Sequence, residues 1–126
     1  MAHEAAAQLN AIGNLLAMDT QYPLDGTFLY VEADWGWADI SIFKDLGASL
    51  LWRDPMDGLF EALLDLREAE ASDKRWSTMQ YRITGDRFDA AFTYEPLDSE
   101  ESTIDRRAII LRQRYGNKQV VYPPLP

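Results

Sequence analysis

The sequence predicts an α+β fold: a mainly antiparallel sheet of about five strands, in the order α-βββ-α-ββ-α, with helices packed mainly on one face. Three observations predict it. Strands cluster between helices instead of alternating singly with them, which favours hairpins over crossover units. Neighbouring strands are separated by only a few turn residues, and antiparallel pairing tolerates such short connections. A sharply two-faced helix follows the first three strands and needs a sheet or another helix to cover its apolar side. The 126 residues and 14.4 kDa fit one domain over residues 1–126, with 117–126 as an extended C-terminal tail.

The first segment, about Ala2–Met18, repeats apolar residues at Ala5, Leu9, Ile12 and Leu16, the spacing of a helix with one buried stripe. Gly13 weakens that helix a little, and Tyr22-Pro23-Leu24-Asp25-Gly26 stops it and turns. Along Thr27–Asp34, Leu29, Val31 and Ala33 face one way and Phe28, Tyr30, Glu32 and Asp34 the other. Trp35-Gly36-Trp37 lies at the first hairpin turn. The next strand, about Ala38–Lys44, sets Ala38, Ile40 and Ile42 against Asp39, Ser41 and Phe43. A turn at Asp45-Leu46-Gly47 leads into a third strand, Ala48–Arg53, completing a meander.

The second helix is expected to start at Asp54 as cap, with Pro55 in the first helical position and Asp57 in the first turn. Met56, Leu59, Phe60, Leu63 and Leu66 make its apolar face. Met79, Tyr81 and Ile83 then alternate with Gln80, Arg82 and Thr84. After Gly85-Asp86, Phe88, Ala90, Phe92 and Tyr94 alternate with Asp89, Ala91 and Thr93, a second hairpin. The acidic loop Glu95–Glu101 leads to Ser102, placed with Asp105 as a capping pair. The last helix is expected to bury Ile104, Ala108, Leu111 and Tyr115 and to close at Gly116. Pro123, Pro124 and Pro126 keep the tail extended.

Composition narrows the functions. Apolar residues form 47% of the chain and aromatics 12%, too many for global disorder. Cysteine is absent, which removes disulfides, thiol nucleophiles and thiolate metal sites. No run of about 18 uncharged apolar residues suggests a membrane span. His3 and Glu4 stand where a secretory signal wants basic residues, so the expected compartment is the cytoplasm. Residues 1–105 hold all 21 acidic side chains against 7 basic ones, a balance of −14, while residues 106–126 hold five basic side chains and no acid. An acidic surface repels phosphate backbones, so no nucleic-acid partner is expected. Arg106, Arg107, Arg112 and Arg114 read first as a solvated or salt-bridged flank.

Catalysis is poorly provided for. His3 is the sole histidine, and no phosphate-cradling glycine loop is present. Glu32 and Asp34 share a strand face roughly 6–7 Å apart, with Asp39 within reach across the hairpin. Three such acids could hold a divalent cation or act as an acid–base pair, but a solvated acidic face is the simpler reading. No catalytic residue, metal or cofactor is assigned. The same patch reads better as a contact surface: Phe28, Tyr30, Trp35 and Trp37 among Glu32, Asp34 and Asp39 combine aromatic anchors with charges that steer a basic partner. Covering of this sheet face by the last helix or the tail is the alternative, which periodicity leaves open.

Trp76 entering a strand, Gly85 and Phe88 around a turn, Phe92-Thr93-Tyr94, an acidic loop, and Arg106-Arg107-Ala108-Ile109-Ile110 running to Tyr115-Gly116 resemble the YezG-type family of bacterial immunity proteins. The likeness covers about residues 76–116; the short loop before the second helix and the basic, proline-containing tail depart from it. It implies a small α+β protein that neutralises a cognate toxin, often a nuclease, and it carries no catalytic residues. The expected function is therefore that of an acidic, immunity-like protein that occludes a basic toxin domain. The alternatives are a homo-oligomeric housekeeping domain, such as a homodimer, and a carboxylate-based metal-dependent enzyme.

Overall fold

The computed structural model describes residues 2–123, with side chains from residue 5 onward; the side chain of His3, and Pro124 and Pro126 of the tail, lie outside the described residues. The elements are α1 (Ala2–Leu16), β1 (Thr27–Asp34), β2 (Trp37–Asp45), β3 (Ser49–Arg53), α2 (Leu59–Glu68), β4 (Thr78–Thr84), β5 (Arg87–Thr93), α3 (Thr103–Tyr115) and β6 (Gln119–Val121). They form one α+β sheet of six strands in the order β5-β4-β1-β2-β3-β6. Every neighbouring pair is antiparallel except β3–β6.

The strand alternation read from the sequence is the alternation observed. Leu29, Val31, Ile42, Met79, Tyr81 and Ile83 point to one face, where Ile12 and Leu16 of α1 and Leu59, Leu63 and Leu66 of α2 join them in a continuous apolar cluster. The opposite face carries a smaller cluster of Phe28, Tyr30, Phe43, Leu50 and Leu111, the last from α3. Two helices therefore cover one face and the third covers the other. That third helix supplies the cover for the Phe28–Tyr30 face.

Two boundaries and one helix face differ from expectation. The tail contributes a sixth strand, because Val120 and Val121 pair in parallel with Leu50 and Leu51. The second helix starts at Leu59 and not at Pro55: Gly58, at φ 90, takes a left-handed conformation as N-cap, and no side chain caps the helix. Phe60 then falls outside the buried stripe and is 40% exposed. In α3, Ser102 Oγ accepts from Asp105 N as the capping pair requires. Its inner face, however, is rotated: Ile104 is 67% exposed and Ala108 is also exposed, while Thr103, Arg106, Arg107, Ile110 and Leu111 turn inward.

Gly13 has a role beyond helix propensity. Tyr81 is fully buried, stacks on Phe88 with ring centroids 4.9 Å apart, and donates its hydroxyl to Leu9 O at 2.8 Å. A Cβ at position 13 would lie 2.7 Å from that hydroxyl. Burial also pushes the Tyr81 phenol up to about 12, so it stays a donor at ordinary pH. Gly13→Ala is expected to destabilise the chain by about 1 kcal/mol or more in urea unfolding, although alanine alone favours a helix by a similar amount. Combining it with Tyr81→Phe should cost clearly less than the sum of the two single changes, since the clashing oxygen is gone.

Candidate functional site

The face under α3 is organised around an acid with no solvent contact. Glu32 is 0% exposed. Arg106 grips it with two parallel hydrogen bonds, Nε to Oε2 and Nη2 to Oε1, both 2.8 Å. Tyr30 donates to Oε2 at 2.6 Å and Thr103 Oγ1 to Oε1 at 2.8 Å. The remaining guanidinium nitrogen, Nη1, donates to Asp98 O and Glu101 O, which ties the acidic loop to the same cation. Burial alone would raise the Glu32 pKa; the hydrogen bonds from Arg106, Tyr30 and Thr103, with the Arg106 charge, outweigh it and hold the carboxyl below its ordinary range. Burial first, and the bond to Glu32 second, push the Tyr30 phenol well above its usual value.

Three further cations of the C-terminal segment also turn inward, and Arg112 stays exposed. Arg107 donates to Ser41 Oγ at 3.1 Å with its guanidinium over Trp52. Arg114 donates to Gln80 Oε1 at 2.7 Å and lies over the Phe28 ring, whose other neighbour is Tyr115. Lys118 pairs with Asp45 at 2.8 Å, which lowers the Asp45 pKa. Across the sheet, Arg53 holds Asp19 through two hydrogen bonds and lowers its pKa likewise.

The seven candidate contact residues therefore divide. Phe28, Tyr30 and Glu32 are removed from the contact surface, because α3 buries the face that carries them. Glu32 has both oxygens engaged, so it forms no joint ion or acid–base site with Asp34 and Asp39. Among the described residues no group of three or more His, Cys, Asp or Glu side chains is placed to hold a metal ion. Asp34, Trp35, Trp37 and Asp39 remain accessible at the β1–β2 end. Trp35 is 83% exposed and Trp37 42%. Asp34 Oδ1 accepts from Trp35 N at 2.7 Å, and Gly36 at φ 75 supplies the left-handed residue the tight connection needs. Asp39 is half-buried opposite Glu32.

A second feature adjoins this tip. Arg67 of α2, Arg75, Ser77 and Tyr94 share a cleft with Asp34, whose Oδ1 lies 3.9 Å from Arg67 Nη2. No local pattern points to it, since its residues come from four separated segments. Glu32's partner did leave a signal: an acid between apolar neighbours on a strand needs a cation, and Arg106 recurs with Thr103, Ile110 and Arg114 at helical spacing.

No helix among the described residues is long and apolar enough to cross a membrane. Compared with known proteins, the chain matches no protein-family model and no curated protein.

Removing Glu32's charge should leave the half-buried Arg106 without its carboxylate. Glu32→Gln is expected to cost roughly 3–5 kcal/mol near neutral pH, measured by denaturant unfolding. The folded pKa values of Glu32, Asp19 and Asp45 lie below their unfolded values. Their stabilisation is thus present above about pH 4.3 and lost as pH falls through the folded values. The melting temperature should fall steeply below that pH, and less steeply in Glu32→Gln.

Proposed function

We propose that this chain is a non-enzymatic, acidic binding protein of the immunity type, acting in the cytoplasm to neutralise a basic toxin domain by occlusion. The observation that carries the reading is the β1–β2 tip, where Trp35 and Trp37 stand in water between Asp34 and Asp39. An indole exposed to 83% gains little in the isolated chain and much on burial against a partner. The flanking carboxylates, on a chain of net charge −9, would speed encounter with a cationic surface and favour it over acidic ones. Asp34, Trp35, Trp37 and Asp39 form the proposed contact.

The YezG-type resemblance supports the class of partner and nothing about the surface. Several of the residues that carry it are internal or at turns: Trp76 is 1% exposed, Phe92 lies against Trp76, Phe88 against Tyr81, and Gly85 and Gly116 end elements, whereas Tyr94 and Ile109 are exposed. They speak for a shared core. The tip speaks for binding.

A second reading, self-association as a homodimer, is favoured by Ile104 and Ile109 on the outer side of α3, which are 67% and 43% exposed. Light scattering separates the two readings.

The proposed activity is tested with the chain as bait in its host. The captured protein should be basic, bind more weakly as salt rises, and arrest growth when expressed alone. Co-expressed wild-type chain should restore growth. Trp35→Ala/Trp37→Ala should weaken the complex by about thirtyfold and fail to restore growth. Asp34→Arg/Asp39→Arg should slow association and flatten its salt dependence. Full rescue by both variants would overturn the assignment.

A further inference from the structure

The cleft beside the tip, about 240 Å³, is lined by a half-buried cation, Arg67. The Arg67 side chain is 11% exposed, less than Arg106 at 17% or Arg53 at 19%. Those two arginines each hold a carboxylate by paired hydrogen bonds. Arg67 does not. Its Nε donates to Trp76 O at 2.7 Å, and this is its hydrogen bond among the described residues. Asp34 at 3.9 Å is near enough for attraction but too far for a hydrogen bond, and its side chain is 67% exposed. Its terminal nitrogens are not shut from the cleft and carry no hydrogen-bonded anion, so they are open to one that enters it.

A second guanidinium shares the cleft. Arg75 gives Nε to Glu70 O and Nη2 to Glu68 O, closing the end of α2, which leaves Nη1 outside those bonds. The same cleft offers apolar contact from Leu97 and the ring of Tyr94, which is held in place by its hydroxyl bond to Glu70. Two planar cations beside an apolar and aromatic wall suit one ligand chemistry. We infer that this cleft binds a small organic carboxylate, its oxygens on Arg67 and Arg75 and its apolar body against Tyr94 and Leu97. The fork of a guanidinium matches a carboxylate in shape. Asp34 on the cleft and the chain's charge of −9 disfavour a dianion such as phosphate. This site shares Asp34 with the tip but none of its indoles, and does not rest on the proposed function.

Sodium benzoate is the probe, with benzamide as its neutral counterpart and inorganic phosphate as the dianion, at constant ionic strength. Backbone amide NMR of the full chain follows Trp76, Ser77 and Tyr94. Benzoate is expected to shift these amides saturably, and benzamide is not. Arg75→Gln should weaken benzoate about tenfold. Because that change also removes donors from α2's last carbonyls, Asp34→Asn provides the second reading: it alters an exposed side chain and should tighten benzoate about threefold. Absence of saturation, equal shifts with benzamide, or phosphate binding as tight as benzoate would each overturn the assignment. So would benzoate affinity unchanged in Asp34→Asn.

Discussion

A carboxylate shut away from water stays ionised only when cations and donors surround it, and the position of α3 follows from that requirement at Glu32. Arg106 can form its two parallel bonds to Glu32 only if α3 presents Thr103, Arg106 and Ile110 to the sheet. That orientation sends Ile104 and Ala108 outward, although a purely apolar stripe would have brought them in. The pairing need not add much net stability over a well-packed apolar substitute. What it adds is one rotation of the helix about its axis, with a heavy penalty for the others, because each alternative leaves Glu32 unpaired.

The two faces of the sheet thus cohere by different physics. Under α1 and α2 the contacts are aliphatic and aromatic, and burial of Leu63, Ile12, Val31 and their neighbours dominates. Under α3 the apolar cluster is small, and cations complete it: Arg114 over Phe28, Arg107 over Trp52, Lys118 on Asp45. The five basic residues after Asp105 are mostly consumed in this way; Arg112 alone among the arginines of α3 is exposed. The acidic excess of residues 1–105 is therefore not offset by a free basic patch, and the outward surface keeps its negative sign.

Local patterns were legible where the chain's own periodicity decides them. Alternation at Leu29/Val31 and Met79/Tyr81/Ile83 identified the strands, and the Leu59–Leu66 spacing identified α2's buried side. Contacts between distant segments were not legible. Val120–Val121 became a strand only because Leu50–Leu51 offered an edge some 70 residues away. Gly58 moved the start of α2 four residues past Pro55 by taking a left-handed conformation no capping rule anticipates. The site shows the same division. Trp35 and Trp37 were readable as turn residues, hence accessible. Phe28, Tyr30 and Glu32 were not readable as buried, since strand alternation assigns residues to a face without saying which face is covered. The Arg67 cleft needed the ends of α2, β1, β4 and β5 in register.

The Glu32 anchor also sets where the cover ends. Thr103 and Arg106, in the first turn of α3, sit on Glu32, while Arg114 and Tyr115, in the last, sit on Phe28. The helix therefore runs back along β1 from residue 32 toward residue 28 and on to the Asp45–Lys118 pair. At ~3.3 Å per strand residue, everything past Glu32 projects beyond the helix's first turn. On the other face α2 finishes near the same place, with Arg67 reaching only to the rim at Asp34. The hairpin outlasts its cover on both sides. Trp35 and Trp37 are exposed because the ion pair fixes α3 short of them, so the interaction that closes the core is also what leaves two indoles outside it.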